Sequence, residues 1–180
     1  MPGMALILVL ATLSGAASPG RAVFDFSPGD APWRSIDDTV MGGRSSSMMR
    51  IEEAQAVFSG TVSPENGGGF ASVRSRPADH DLSGFRGVVI RVRGDGKIYG
   101  LRIKTDRGFD GVNYQASLAS GENWEEIAIS FDEFQPVFRG RLVPGHPALD
   151  SASIKSFGLI ISREQYGPFR LEIDWIKAYA

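Results

Sequence analysis

The sequence predicts an all-β fold, an antiparallel sandwich of about ten strands. Three observations support this prediction. Short segments repeatedly alternate apolar and polar residues, which is the pattern of a strand with one buried face. No long segment shows the 3.6-residue period of a helix, so no strand–helix–strand unit is expected. The 180 residues include 22 glycines and 10 prolines, which suit a chain with many turns.

The first residues have a different composition from the rest of the chain. Residues 4–13 form an apolar run and small residues follow it, so we predict a signal peptide over residues 1–17. No Lys or Arg precedes the run, and an uncleaved anchor or a wrongly chosen start codon are the alternatives. The run is too short for a stable membrane-spanning helix. We expect an exported, periplasmic or secreted protein, with residues 18–180 as one domain; without cleavage it would be membrane-anchored or cytoplasmic.

The predicted strands follow one another through the mature chain. They cover residues 22–26, 48–52, 55–62, 69–76, 86–93, 97–105, 112–118, 124–130, 154–162 and 168–179. The second and third form a hairpin that turns at Glu53 and Ala54. Asp95 and Gly96 favour positive φ and predict a tight turn between the fifth and sixth strands. One helical turn is predicted over residues 131–134.

The alternation also predicts which aromatic side chains face the core. Tyr99 lies in phase with apolar neighbours in its strand and is expected to be buried. Trp124 and Trp175 are placed on the buried faces of their strands by the same reasoning. We therefore expect all three rings between the two sheets.

Residues 33–45, here called the 33–45 segment, are too irregular for a strand and too rich in special residues for a linker. The segment combines apolar bulk, hydrogen-bonding side chains and two glycines: Trp33, Asp37, Asp38, Met41, Gly42, Gly43 and Ser45. Its carboxylates and hydroxyl can bond nearby N–H groups and fix a loop. Its glycines permit positive φ and close backbone approach. We predict an ordered loop at one end of the sandwich, which serves either partner binding or only the packing of a corner.

Composition excludes several classes of site. The chain has no cysteine, so disulfides and thiolate metal sites are impossible. A net charge of −2 and a pI of about 5.7 argue against a nucleic-acid-binding protein. The only histidines, His80 and His146, lie in no catalytic or zinc motif, so we expect no catalytic residue, no metal and no cofactor. A hydrolase that uses Asp38 or Asp110 as a general acid or base is a minor alternative.

Ligand binding by other residues is also possible. A carbohydrate could stack on the rings of Trp33 or Tyr114, with Arg74 and Asp110 bonding its hydroxyls. These rings are otherwise explained by core packing. The candidate Ca²⁺ ligands are four aspartates: Asp37, Asp38, Asp106 and Asp110. Turn formation explains the presence of these residues more simply.

A set of motifs occurs in one order along the chain. They are Trp33…Asp38-x-Val40-Met-Gly-Gly-x-Ser45, Gly67-Gly-Gly-Phe-Ala-Ser-Val-Arg74, Val92-Arg-Gly-Asp-Gly96, Tyr99, Tyr114, Trp124, Phe131, Phe134, Phe157-Gly-Leu159 and Gly167-Pro-Phe-Arg-Leu171. Together they resemble the complex I intermediate-associated protein 30 family, from about Phe24 to Tyr179. The resemblance implies a jelly-roll β-sandwich similar to galactose-binding-like domains. It also implies an assembly factor for respiratory complex I that has no established catalytic residues.

The sequence therefore predicts a binding module and not an enzyme. We expect it to dock a protein partner through a preformed rim built by the 33–45 segment and its neighbours. The candidate contact residues outside that segment are Arg74, Asp110 and Tyr114. An exported carbohydrate-binding module, with or without a stabilising Ca²⁺, is the alternative.

Overall fold

The computed structural model describes residues 20–180, and the predicted signal peptide over residues 1–17 lies outside them. The described residues form these strands: β1 Ala22–Phe24, β2 Arg34–Ser35, β3 Ser46–Glu52, β4 Gln55–Val62, β5 Ala71–Arg74, β6 Gly87–Arg93, β7 Ile98–Lys104, β8 Asn113–Ala119, β9 Glu125–Ser130, β10 Gln135–Phe138, β11 Arg141–Leu142, β12 Ser156–Ile161 and β13 Gly167–Tyr179. Short 3-10 helices cover Asp38–Met41, Glu65–Gly67, Phe131–Glu133 and Ser151–Ser153. No helix in this part of the chain is long and apolar enough to cross a membrane.

Two antiparallel sheets make up the fold. One has the strand order β3-β4-β13-β6-β9, and β1 also pairs with β13. The other has the order β11-β10-β8-β7-β12-β5-β2. Neighbours within each sheet are mostly distant in sequence, as the crossing connections of a jelly roll require. The predicted all-β jelly-roll sandwich is confirmed.

The core lies between the sheets and follows the predicted alternation. In β7 the side chain of Tyr99 is 2% exposed, which confirms its predicted burial. Its neighbours Leu101 and Ile103 are also buried, while Arg102 points to the other face. Strand β12 is buried along its whole length, as its apolar sequence predicts. The apolar side chains of both sheets form one continuous cluster.

Two tryptophans do not lie in the predicted core. The pairing of β13 with β6 shifts register between Ile173 and Trp175, so the next inward residue is Ile176. Trp175 is consequently half-buried, with the Lys177 amine 4.2 Å from the centre of its ring. A bulge of this kind reverses the alternation that the sequence suggests.

Trp124 is the second exception. It precedes β9 and does not belong to it, so the strand alternation does not apply. Its ring is half-buried on the outside of the six-stranded sheet. The guanidinium carbons of Arg91 and Arg93 lie 5.0 and 4.9 Å from the ring centre. The prediction that Trp124 is a core residue was wrong.

The described chain has more strands than the ten predicted, because β2, β10 and β11 were not expected. These strands are two to four residues long, too short for an alternation to be visible. The predicted hairpin at Glu53 and Ala54 is present, and both residues have positive φ, 51° and 62°. The helical turn predicted over residues 131–134 is present as Phe131–Glu133.

Candidate functional site

The 33–45 segment connects the two sheets at one end of the sandwich. It begins beside β2, the edge strand of the seven-stranded sheet, and runs into β3 of the other sheet. Strand β2 lies within the segment, so part of it is regular after all. Its backbone is held by β5 and the preceding loop, since Ile36 N–H donates to Ser72 O at 2.8 Å and Asp38 N–H to Phe70 O at 3.2 Å. The segment is therefore an ordered corner of the fold.

Asp38 organises this corner from inside. Its side chain is fully buried and accepts four hydrogen bonds. Ser45 donates its N–H at 2.9 Å and its hydroxyl at 2.6 Å, and the N–H groups of Gly69 and Phe70 donate at 2.7 and 3.3 Å. One carboxylate thus joins the 33–45 segment to the glycine-rich loop before β5.

The two glycine motifs lie against the same carboxylate. A Cβ atom added at Gly43 or at Gly68 would overlap the side chain of Asp38. Gly42 is different, because its φ is 86° and no atom of residues 20–180 outside its immediate neighbours lies within 4 Å of an added Cβ. The close approach of Asp38 explains why glycine occupies positions 43 and 68, whereas the positive φ explains the glycine at position 42.

Asp37 makes a second set of contacts on the other side of the turn. It accepts hydrogen bonds from the Ser47 hydroxyl at 2.6 Å, the Ser47 N–H at 2.9 Å and the Ser72 N–H at 3.0 Å. Ser47 lies in β3 and Ser72 in β5, so Asp37 bridges the two sheets. Adjacent carboxylates therefore fix the start of β3 and of β5 relative to each other.

Hydrogen bonding controls the ionisation of Asp38. Burial by itself would raise the pKa of the carboxyl group, because it disfavours the charged form. The bonds from Ser45, Gly69 and Phe70 outweigh this effect and leave the pKa below its ordinary value of 3.8. The Asp38 carboxylate is therefore ionised, and donors of the protein itself supply its hydrogen bonds. It has no exposed surface through which to contact a substrate.

The turn between these contacts displays apolar side chains to solvent. Val40 and Met41 lie in the 3-10 helix Asp38–Met41 and are each 60% exposed. Gly42 ends this helix in the left-handed conformation, with its N–H donating to Thr39 O at 3.1 Å. Two apolar side chains are thus presented on a backbone that hydrogen bonds hold from both ends.

The two rings proposed as sugar platforms are inside the protein. Trp33 is 5% exposed and packs edge-on against Phe24, with ring centres 5.0 Å apart. Tyr114 is 4% exposed and its hydroxyl donates to Pro147 O at 3.0 Å. Neither ring can stack on a ligand at the surface, so both act through packing.

Arg74 and Asp110 belong to a second region, on the outer face of the seven-stranded sheet. Arg74 donates to Phe109 O at 2.8 Å, which ties β5 to the β7–β8 loop. Asp110 lies in that loop and pairs with Arg139 at 3.3 Å. The candidates from the sequence therefore divide between the 33–45 segment and this second region.

The second region contains a cleft of about 680 Å³, here called the arginine cleft. It is lined by the ring of Phe109, by the carboxylate of Asp106 and by four arginines: Arg34, Arg74, Arg76 and Arg107. Three of these arginines, Arg34, Arg76 and Arg107, were not predicted from the sequence. The available signal was the spacing of Arg74 and Arg76, two positions apart at a strand end and therefore on one face.

Burial affects the charged groups of this face. It lowers the pKa of Arg74, and the carboxylates of Asp106 and Asp110 partly offset the change. Burial and the nearby Arg74 lower the pKa of Arg102 to about 10. Burial also lowers the pKa of Lys104, whose amine donates to Asp110 O at 2.8 Å. Cations are therefore held close together on this face at some electrostatic cost.

The aspartates considered as Ca²⁺ ligands are separated and already paired. Asp37 and Asp38 accept hydrogen bonds from the protein, whereas Asp106 and Asp110 form ion pairs with Lys104 and Arg139. Within residues 20–180 there is no group of three His, Cys, Asp or Glu side chains that could hold a metal ion.

Sequence comparison identifies relatives of this chain. The family model described as Complex I intermediate-associated protein 30 matches residues 24–173. The mitochondrial protein of that name from Mus musculus is 30% identical over 171 residues, which cover 82% of this chain and 52% of the mouse protein. The Drosophila melanogaster protein is 27% identical over 186 residues, which cover 88% of this chain and 63% of that protein. The chain thus spans between half and two thirds of these relatives.

Structural comparison supports the fold. The family 11 carbohydrate-binding module of the Clostridium thermocellum cellulase Lic26A-Cel5E superposes with a TM-score of 0.69 at 17% identity, covering 92% of this chain and 96% of the module. The agarase AgWH50C gives a TM-score of 0.57 at 13% identity, covering 88% of this chain and 24% of the agarase. At this identity the similarity establishes a shared jelly-roll architecture only.

Proposed function

Because this chain belongs to the complex I intermediate-associated protein 30 family, we propose that it binds a protein partner in the manner of an assembly factor. The names of the mouse and Drosophila relatives associate those proteins with an intermediate of complex I. By analogy, the proposed partner is a subunit or an assembly intermediate of a respiratory NADH dehydrogenase.

The observation that supports partner binding is the exposed pair Val40 and Met41. Each side chain is 60% exposed. Apolar side chains on a flexible loop could fold onto the core, whereas these two are held in solvent. The pair lies between Asp38, with its four hydrogen bonds, and Gly42, which ends the turn. A contact surface that is ordered before binding loses little conformational entropy when a partner docks.

The proposal is tested by photocrosslinking from position 41. A photoreactive amino acid replaces Met41 in the protein expressed in its own host, and Leu142 is replaced in a matched control. Leu142 is equally exposed, at 66%, but lies in β11 at the other edge of the seven-stranded sheet. We expect a discrete crosslinked protein from position 41 only, identified by mass spectrometry as a subunit of the dehydrogenase.

The expected result also has a functional counterpart. The double variant Val40→Ser/Met41→Ser should keep the melting temperature of the parent, since both side chains are exposed. The protein that crosslinks to position 41 should co-purify with the parent and should not co-purify with this variant. Position 41 giving no product, or the same products as position 142, would count against a docking surface at this turn.

We propose that the module does not catalyse a reaction. Asp38, the strongest acid–base candidate, is fully buried and occupied by four donors. Asp110 is exposed and paired with Arg139. His80 packs against Phe24 and Phe157, with ring centres 5.7 and 5.6 Å away. None of these groups is aimed at a cleft in the way that general acid–base catalysis requires.

Carbohydrate binding is not favoured. The rings nominated for sugar stacking, Trp33 and Tyr114, are 5% and 4% exposed. Trp124 is more accessible, but two arginines cover its ring. A glycan array without hits, alongside the crosslink from position 41, is the expected outcome.

The site of action is also a proposal. The apolar run of residues 4–13 supports export, with cleavage leaving residues 18–180 as one β-sandwich domain. The relatives from mouse and Drosophila carry the description mitochondrial, which applies to those proteins. Sequencing the amino terminus of the protein recovered from each cell fraction distinguishes a cleaved, exported form from an intact cytoplasmic one.

A further inference from the structure

We propose that the arginine cleft binds an extended acidic segment of the partner protein, with its carboxylates paired to Arg34, Arg74 and Arg76. This inference rests on the proposed function, because it assigns the chemistry of the partner. It concerns a surface that continues from the docking turn, since Arg34, Ser35 and Ile36 line the cleft and Asp37 begins the turn.

The cleft is strongly cationic in a protein of net charge −2. Its lining includes four arginines and a single carboxylate, Asp106. Asp106 is itself paired with Lys104, at 3.3 Å. Arg107 is paired with Asp79 at 2.9 Å, and Lys155 contacts the same carboxylate at 2.6 Å. The acids near the cleft are therefore already engaged by other cations.

The remaining arginines form no ion pair with a carboxylate of residues 20–180, although Asp106 and Asp110 lie near enough to Arg74 to offset part of the lowering of its pKa by burial. Within residues 20–180, Arg34 and Arg76 have no carboxylate within ion-pair distance, and Arg74 donates to a carbonyl oxygen. Arg34 lies directly opposite Arg74 across the β2–β5 pair, so the two guanidinium groups share one face. Like charges placed opposite each other are unfavourable, and an anion bound between them would add an attractive interaction with each guanidinium group.

The spacing of the arginines fits an extended peptide. Arg74 and Arg76 project into the cleft, while Ser75 between them is buried and donates its N–H to Phe157 O at 2.8 Å. Residues two apart in such a chain are separated by about 6.6 Å. Carboxylates on alternate residues of an extended segment have the same separation, so each can meet one guanidinium group.

Other anions fit this arrangement less well. Phosphate sites commonly gather backbone N–H groups at one point, whereas these cations are side chains spread along a strand edge. Nucleic acid requires a longer basic stripe, and here Asp79 and Asp106 bound the cleft on the side of Arg107. The ring of Phe109, 64% exposed in the lining, adds an apolar contact that suits a peptide side chain.

Fluorescence anisotropy with a defined peptide tests the proposal without the natural partner. The probe is a fluorescein-labelled peptide of about ten residues in which Glu alternates with Ser, and its Gln analogue is the control ligand. The test variant is Arg34→Gln/Arg76→Gln, because both side chains are exposed and bear no hydrogen bond that holds the fold. The matched control is Arg50→Gln, an exposed arginine on β3 of the other sheet.

We expect the Glu peptide to bind the parent and the Arg50→Gln variant with similar affinity, and the double variant about tenfold or more weakly. Binding should also weaken as ionic strength rises, because the contacts are partly exposed. The Gln peptide should not bind. Equal binding by the parent and the double variant would overturn the proposal.

Competition experiments exclude the other anions. Displacement of the peptide by inorganic phosphate at similar concentration, or tighter binding of a single-stranded oligonucleotide than of the Glu peptide, would overturn the assignment to an acidic peptide. The result is also separable from the proposed function. If position 41 crosslinks a partner while the peptide fails to bind, the cleft proposal is wrong and the docking proposal is kept. If the peptide binds while position 41 gives no crosslink, the proposal that the turn docks a partner is wrong.

Discussion

Ser45 donates twice to Asp38, through its N–H to Oδ1 at 2.9 Å and through its hydroxyl to Oδ2 at 2.6 Å. Both residues are buried, with side-chain exposures of 1% and 0%. The Ser45 hydroxyl oxygen also accepts the N–H of Ser63 at 2.9 Å, at the end of β4. The pair thus connects the 33–45 segment to two neighbouring loops.

Removing the Asp38 carboxylate should destabilise the protein strongly. Asp38→Ala leaves four donors without their acceptor, and we expect a loss of about 3–5 kcal/mol in the free energy of unfolding. Ser45→Ala removes one donor and should cost about 1–2 kcal/mol. Urea denaturation followed by tryptophan fluorescence measures both. The exposed Asp132→Ala serves as control, and an Asp38→Ala variant as stable as that control would contradict this account.

Neighbouring glycines should respond differently to substitution. Gly43→Ala places a methyl group against Asp38 and should cost about 2–4 kcal/mol. Gly42→Ala meets no atom and should cost only about 1 kcal/mol, from its positive φ. The bulkier Gly42→Val should cost about 1–3 kcal/mol for the same reason. Thermal denaturation ranks the three, and a Gly43→Ala variant that melts above Gly42→Ala would refute the close contact with Asp38.

The stability of the fold should depend on the ionisation of His80. Burial lowers the pKa of its ring below 6.5, with a smaller contribution from Arg21 and Lys155, while Asp79 acts in the opposite direction. Nε2 is buried, and no atom of residues 20–180 forms a hydrogen bond with it. As pH falls through about 6.5, the unfolded chain therefore binds a proton before the folded protein does, and the free energy of unfolding decreases.

Comparing melting temperatures at about pH 7.5 and pH 5.5 checks this prediction. The parent should lose stability over this interval, and His80→Leu should lose less. Asp38 does not affect this comparison, because its pKa lies below 3.8 and its contribution to the free energy of unfolding is lost only at lower pH. The same decrease in the parent and in His80→Leu would show that His80 is not responsible.

Trp33 should prove structural. Its burial against Phe24 and Phe26 predicts that Trp33→Ala costs about 3–5 kcal/mol, as for other large core residues. Added oligosaccharides should leave tryptophan fluorescence unchanged in the parent. Sugar-dependent quenching that Trp33→Ala abolishes would instead restore the carbohydrate-binding alternative.

Much of the fold follows from local pattern. The alternation of Tyr99, Leu101 and Ile103 with Arg102 and Lys104 predicts one buried apolar face, and the structure has it. Lys104 departs from the pattern, because it is buried on the opposite face at 2% exposure. The alternation fails at Trp175, because the bulge after Ile173 depends on how β13 pairs with β6. Local sequence contains no information about a register shift that two distant strands set between them.

The candidate site was predicted less completely. The sequence marked Asp37, Asp38 and Gly43 as special, but it could not distinguish a binding loop from a packed corner. The hydrogen bonds of Asp38 to Gly69 and Phe70 span about thirty residues of chain, so they became visible only in three dimensions. Arg34 escaped notice for the same reason, since its neighbour Arg74 lies across a strand pair.

By itself the sequence determined the β class, most strand positions and the family, since these depend on residue order and on contacts within a strand. Tertiary structure decided the rest. It placed Trp33 and Tyr114 inside, left Val40 and Met41 outside, and gathered arginines from separate parts of the chain into one cleft. Burial and charge proximity are properties of the assembled sheets, because each depends on residues far apart in sequence.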